Sequence, residues 1–485
     1  MSAGRIHQTL SPKAQSALKV KEIDSFQNEM LAITDVDQAH LVMLVRAEIV
    51  QQGQAAALLR GIEELRRQRF APLLQESAPR GTYLMYENYL ISNLGAEVGG
   101  VLHTARSRND LNATVLLLRL RKEIAGVCYE VIRLLVSLLV RAKRFARLFM
   151  PIYTHFQVAQ PGSFGHYLLA VAEGAQRSLC FMLHLLESDV STCPLGAGAA
   201  GGTSLSIDQA LTAKLLGFRR HSRNSLDAVA SRDHACRFLA ELTIVGALMS
   251  RVSTDFQLWT TSEFNFFELP DSLVGSSSMM PQKRNPYLLE HIQGKSAHAL
   301  AGFVSSITSI HAKPLTNNIA ANTESMSQLW NVAEQTKSAI VLLNLIIRGL
   351  VPNEPAMLGR ASGVFMEATE AANQLQRVGV PFRRAHEIIG QVIAAIVAVK
   401  AEPSPDSICR YLVDKGYSIG LEGLDPQSLL AANRYGGGPG GDVVEEGVSA
   451  LSLILKVDSG KLFALKTDWS RAASELDAAV RELMT

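Results

Sequence analysis

Residues 117–138 read LLRLRKEIAGVCYEVIRLLVSL. Within this stretch Leu117, Leu120, Ile124, Val127, Val131, Leu134 and Leu138 recur at alternating three- and four-residue steps, which places them on one stripe of a long helix. Arg121, Lys122, Glu130, Arg133 and Arg141 fall on the other face. The same spacing returns at Phe238, Leu242, Val245, Met249, Val252, Phe256 and Trp259. Seams this long are what helices need to pack lengthwise, so the middle of the chain reads as a helical bundle. A third apolar tract, Ile340 to Leu350, is so rich in Leu and Ile that it reads as buried on most sides, as a helix covered by a partner subunit would be.

Working outward, residues 1 to about 110 read as a shorter helical segment that ends in the polar run His103-Thr104-Ala105-Arg106-Ser107-Arg108-Asn109-Asp110. After about 355 the pattern changes to shorter amphipathic helices. They are broken by Pro381, by Pro403 and Pro405, and by the glycine loop from Gly436 to Gly441. The expectation is a mainly α protein of three helical domains, 1–110, 111–355 and 356–485, with no internal repeats and no clear alternating strand.

The 485 residues are ample for a sizeable core, and Lys+Arg 47 against Asp+Glu 45 leaves a net charge of only +2. No large charge excess marks the chain for nucleic acid or a membrane surface. Apolar residues make up 47% and charged residues 19%, which argues against disorder. The five cysteines, Cys128, Cys180, Cys193, Cys236 and Cys409, are scattered without a CxxC pair. They read as reduced, structural thiols. Met1 to Leu10 contains Arg5, His7 and Gln8 without an apolar signal core, and no uncharged apolar run reaches the ~18 residues of a membrane span. A cytoplasmic protein is expected.

Two motifs mislead. Gly196-Ala197-Gly198-Ala199-Ala200-Gly201 matches G-x-G-x-x-G, but that fingerprint needs a strand before it, and Phe181 to Leu186 reads as helix. The run is expected to be a flexible or tightly packed loop. His386-Glu387-Ile388-Ile389 begins like a zinc-protease motif, yet Gly390 stands where the second histidine is needed. No metal site is supported.

Three polar segments could build one site. Ser107-Arg108-Asn109-Asp110 precedes the long helix, where free N–H groups and the dipole favour an anion and Arg108 adds a fork suited to a carboxylate. The alternative is an ordinary cap made by Asn109 or Asp110. Tyr153-Thr154-His155-Phe156-Gln157 sets a histidine beside a hydroxyl ahead of another helix, where it can hold a carboxylate or move a proton. The alternative is a histidine hydrogen-bonded in the core. Gly275 to Pro286 crowds hydroxyls, an ammonium and an amide between helices. It is either a mobile loop or, with Met279, Met280, Pro281 and Pro286, a loop that packs into a fixed shape and carries catalysis.

Ser277-Ser278-Met279-Met280-Pro281-Gln282-Lys283-Arg284-Asn285-Pro286 resembles the signature loop of the fumarase/aspartase superfamily. His103 to Asp110, Tyr153 to Pro161, Pro194 to Asp208 and Asn224 to Val229 resemble its argininosuccinate lyase branch, as do Gly379 to Phe382 and Ala385 to Glu387. The resemblance implies a fumarase/aspartase-like fold and a homotetramer with a twenty-helix core, whose sites combine segments from three subunits. Ser277 would be the base that removes a proton from carbon, with His155 and Lys283 also catalytic. Ser107, Arg108, Asn109, Thr154, Gln157, Lys283 and Asn285 would bind substrate. The implied reaction is elimination of fumarate from an N-succinyl amino compound, argininosuccinate being the nearest named substrate and arginine biosynthesis its setting. No metal or organic cofactor is implied.

Those residue types suit that chemistry. Removing the weakly acidic C–H beside a carboxylate leaves a dianionic aci-carboxylate, which needs cations and N–H donors arranged in advance. A serine is a poor base at its free pKa, so the loop backbone, Lys283 or a helix dipole must activate Ser277. The chain also departs from its relatives. Ala105 and Ser276 replace glycines, and Gly81-Thr82-Tyr83-Leu84 stands where the family carries an acidic, histidine-containing stretch. Between Thr316 and Ser325, the residues Asn317, Ala320, Asn322 and Ser325 replace a substrate-contacting segment. These departures favour an alternative, a related lyase acting on a different fumarate–amine adduct. A rival of another class is a non-catalytic helical scaffold.

Overall fold

The computed structural model describes residues 10–18, 25–76, 81–402, 404–417 and 420–485. The readings made above on Arg5, His7, Gln8 and Pro403 fall outside these residues. The chain is mainly α. After α1 (Ser25–Arg46), α2 (Gln52–Arg67) and α3 (Thr82–Leu94) comes α4 (Arg108–Arg144), the 37-residue helix that contains the opening stretch. A β-hairpin, β1 (Ile152–Thr154) and β2 (Gln157–Gln160), leads into α5 (Phe164–Glu187) and then α6 (Asp233–Trp259). A second small hairpin, β3 (Gly275–Ser276) and β4 (Arg284–Asn285), leads into α7 (Tyr287–Ile310) and α8 (Leu329–Gly349). Helices α9 (Phe382–Ala398) and α10 (Gly441–Met484) follow.

Helices α4 to α8 pack lengthwise into a bundle. All seven predicted seam residues of α4, from Leu117 to Leu138, are at most 4% exposed, and those of α6 are buried as well. The α4–α5 contact is close because Gly165 carries no side chain. A Cβ there would stand 2.5 Å from the Ala142 carbonyl oxygen and 2.7 Å from the Ala146 Cα. Where α5 starts and α6 ends, aromatic rings lock together, with Phe164 4.6 Å from Phe267 and Tyr167 4.9 Å from Trp259 between centroids.

Three expectations are corrected. The tract from Ile340 to Leu350 is covered by the chain's own α4, α6 and α7 rather than needing a partner, and Ile340, Leu342, Ile346 and Ile347 are fully buried. Arg121 does not lie on a solvated face. It is buried, donates to the carbonyls of Leu216 and Gly217, and stacks between Phe218 and Trp469. Short strands exist, but pairs of two to four residues carry too little alternation to be read from sequence.

The span 356–485 contains two environments. Ala371, Leu375, Ile388, Val392, Ile396, Ile408 and Leu412 form a small core of their own. Helix α10, 44 residues long, instead returns along the bundle, where Val444, Leu451, Leu455, Leu462 and Leu476 join the main core. No helix among the described residues is long and apolar enough to cross a membrane.

Candidate active site

The three polar segments sit at two ends of the bundle. Ser107 caps the start of α4 from an extended conformation, φ −127° and ψ 164°, and its hydroxyl accepts from the Asn109 N–H at 3.3 Å. Asp110 closes a capping box by accepting the Ser107 N–H at 2.9 Å. The cap is therefore Ser107 with Asp110, not Asn109. The second oxygen of Asp110 accepts the N–H groups of Gly196 at 2.9 Å and Gly198 at 3.0 Å. The glycine-rich run thus grips a buried carboxylate of its own chain. Gly198, at φ 60°, has no room for a Cβ, which would stand 2.6 Å from the Gly202 carbonyl oxygen. Burial raises the Asp110 pKa even though these N–H donors pull it down. The result is a rigid base from which Arg108 is exposed and Asn109 partly so.

Behind Ser107 lies a polar cluster that local sequence patterns do not disclose. Arg106 pairs with Asp37 at 2.6 Å, both side chains fully buried. Burial opposes the Arg106 charge, but Asp37 and Tyr83 more than offset it and its pKa is raised. Its Nη2 also donates to the Tyr83 hydroxyl at 2.8 Å. That hydroxyl lies 3.2 Å from His103 Nδ1, which stands 3.3 Å from Glu87 Oε1. Tyr83 belongs to the segment that departs from the family, and Glu87 is 16 positions from His103, so neither helical nor strand periodicity links them.

At the other end, Thr154 and Gln157 pair across the β1–β2 hairpin, and His155 and Phe156 form its two-residue turn. The expectation of a histidine at a helix entrance is corrected: His155 is exposed on the hairpin tip, with φ 52°, and Phe156 follows at φ 60°. Tyr153 anchors the hairpin against Phe264 and Phe266, with centroids 5.9 and 6.4 Å away.

The Ser277 loop is the link between β3 and β4. Its base is clamped by Arg284, which pairs with Asp271 and donates to the Leu269 carbonyl at 2.5 Å. The Ser277 hydroxyl oxygen accepts the N–H groups of Met279 at 3.3 Å and Met280 at 3.0 Å. Lys283 is exposed, and Asn285 is half-buried. The loop has a defined base, but Met279 does not pack within the chain, being 87% exposed.

Helix–helix contacts fix which end each segment occupies. Phe164 N–H donates to the Leu148 carbonyl, tying the start of α5 to the end of α4. Tyr167 meets Trp259 at the end of α6, and Gln257 there bonds Gln293 of α7 at 2.9 Å. Hence Thr154, His155, Gln157, Ser277, Lys283 and Asn285 share the end where α4 finishes. Ser107, Arg108 and Asn109 lie where α4 begins, about 55 Å away at 1.5 Å per residue.

Residues 18–301 match the family model described as lyase, and residues 365–405 match that described as argininosuccinate lyase C-terminal. The chain is 34% identical to the argininosuccinate lyase of Synechococcus sp. (strain JA-3-3Ab) over 415 residues, 84% of each protein. It is 34% identical to that of Hahella chejuensis (strain KCTC 2396) over 433 residues, 85% of this chain and 91% of the other. Among solved structures, a variant of EDDS lyase with bound fumarate matches with a TM-score of 0.89 and 26% identity, covering 99% of this chain and 97% of the other.

Proposed function

The chain belongs to the argininosuccinate lyase branch of the fumarase/aspartase superfamily and is a carbon–nitrogen lyase, and from that premise we propose that it eliminates fumarate from an N-succinyl amino compound, with argininosuccinate the nearest named substrate. The observation that carries the site assignment is the Ser277 hydroxyl held by two backbone N–H groups on a clamped hairpin. Hydrogen bonds to an oxygen favour its ionised form, so they support the loop backbone as what activates Ser277. Ser277 takes the proton beside the carboxylate. Lys283, Asn285 and Arg108 face the charge of the aci-carboxylate as it develops, and His155, Thr154 and Gln157 orient the succinyl group.

A site shared between chains is part of the same proposal, because residues about 55 Å apart along one helix cannot meet on one substrate. A homotetramer in the cytoplasm would bring the opposite ends of different chains together. Exposed apolar side chains on the outer faces of the bundle support contact between copies, among them Tyr129, Val136 and Val140 on α4, Ile244 on α6, and Leu300 and Val304 on α7.

A second reading, another fumarate–amine adduct, is favoured by how the Thr316 to Ser325 segment is bonded. Asn322 Nδ2 donates to the Val229 carbonyl at 2.7 Å, and its oxygen accepts the Asn318 N–H at 3.1 Å. Ser325 donates to the Ala321 carbonyl at 2.5 Å. These polar groups are already engaged within the chain, which leaves less to hold a guanidinium tail. Purified protein supplied with argininosuccinate should release fumarate, followed by its ultraviolet absorbance. If only fumarate plus another amine reacts in the reverse direction, the second reading holds; silence with every adduct sinks both.

In the same assay Ser277→Ala should lower kcat by about 10²–10⁴-fold with KM little changed, since the loss falls on the transition state. Lys283→Ala should raise KM as well, because it faces a carboxylate already charged in the ground state. Near-normal turnover by Ser277→Ala would leave His155 as the leading candidate base.

A further inference from the structure

The assignments above leave the proton for the leaving amine without a donor. A free amide or guanidide anion is a very poor leaving group, so C–N cleavage calls for an acid at nitrogen. The cluster behind Ser107 contains one.

Glu87 Oε1 stands 3.3 Å from His103 Nδ1, and the Tyr83 hydroxyl 3.2 Å from the same nitrogen. Tyr83 also lies 3.4 Å from Glu87 Oε1, its ring centroid is 5.6 Å from the imidazole, and it is fixed by Arg106 at 2.8 Å. A carboxylate beside Nδ1 keeps a proton on that atom and leaves Nε2 as the exchanging position. Nε2 has no hydrogen-bond partner among the described residues, and the His103 side chain is 35% exposed. His103 lies four positions from Ser107, at the end of the bundle where Arg108 and Asn109 open to solvent. The charged and titratable groups facing it are Glu87 and Tyr83 from α3, Arg106 on its own segment, and His40 from α1. A ring oriented by a partly buried carboxylate, with its far nitrogen open beside a substrate-binding segment, has the arrangement of a general acid.

We propose that His103 is the catalytic acid that protonates the leaving amine, with Glu87 as its positioning residue; this rests on the lyase reading above. The Ser277 oxyanion takes the proton from carbon to leave the aci-carboxylate; as this collapses to fumarate, the C–N electron pair moves to nitrogen and the Nε2 proton of the His103 imidazolium goes to that nitrogen. One proton leaves carbon and one reaches nitrogen, giving fumarate, the Ser277 hydroxyl, the free amine, and a neutral imidazole that keeps Nδ1–H toward Glu87.

The test compares wild type, His103→Asn and Glu87→Gln on two N-succinyl adducts, one of a strongly basic alkyl amine or guanidine and one of a weakly basic arylamine. Asparagine retains a donor at the Nδ1 position and removes Nε2. His103→Asn should lose at least about 100-fold in kcat on the basic leaving group with KM within about threefold, and far less on the arylamine, whose anion is a better leaving group and calls for less help from an acid. Glu87→Gln should lose roughly tenfold or more. Equal losses on both adducts, or kcat within about threefold of wild type, overturn the assignment while the lyase reading stands. If His103→Asn fails to fold, His103→Gln carries the same contrast. A wild type inactive on every adduct overturns the lyase reading and the role of His103 with it.

Discussion

His155 and Phe156 link β1 to β2 with both residues at positive φ, the geometry of a two-residue turn that ordinarily selects asparagine and glycine. An aromatic side chain in that region costs on the order of 1–2 kcal/mol, and Phe156 is 86% exposed, so packing returns little of it. Phe156→Gly should therefore raise stability by about 1 kcal/mol, read as a higher denaturant midpoint at unchanged slope. His234 gives a pH signature. Burial first, then the Arg232 charge, depresses its pKa to about 4, and its Nε2 is buried without a partner. Unfolded, a histidine titrates near ~6.5, so between the two values the unfolded chain binds more protons. The contribution is full above pH ~6.5 and is lost as pH falls through about 4, an acid destabilisation of up to about 3 kcal/mol. Denaturant unfolding at pH 7 and pH 4.5 should show a smaller gap for His234→Asn than for wild type. At this scale the sequence disclosed residue types better than partners. Ser107, Arg108 and Ser277 announce themselves by hydroxyls and charge at a helix start or between apolar runs. The grip of Gly196 and Gly198 on Asp110, or of Glu87 on His103, joins positions that no local spacing relates.

Elements were legible in proportion to their period. The α4 and α6 seams repeat often enough that burial of one face is the only consistent outcome. The two hairpins carrying His155 and Ser277 have two to four residues per strand and are ordered by long-range anchors, Tyr153 against Phe264 and Arg284 against Asp271. The aromatic knot is the shared support of these elements. Phe256 is 1% exposed and meets Phe164, Tyr167, Trp259 and Phe267. Phe256→Ala should cost about 3–5 kcal/mol by thermal or denaturant unfolding. It should also lower activity in protein that remains folded, because both hairpins rest on the ends that this knot joins. Gly165→Val should push α5 off α4 against the Ala142 carbonyl, costing about 1–3 kcal/mol or more.

For the whole molecule, the distance between the two ends of α4 is the decisive quantity, and it could not be read before the chain was folded. The proposed assembly predicts about four chains by light scattering at micromolar concentration. It also predicts that inactive Arg108→Ala and Ser277→Ala proteins, unfolded and refolded together, regain activity beyond the sum of the two. A stable, active monomer would rule out the shared site. In the proposed assembly the same separation makes concentration part of the enzyme's kinetics. On dilution, each chain keeps its helices and its core while losing the company that completes its chemistry. Specific activity should then fall with no change in circular dichroism, and rates at low nanomolar protein should rise more steeply than in proportion to the amount added.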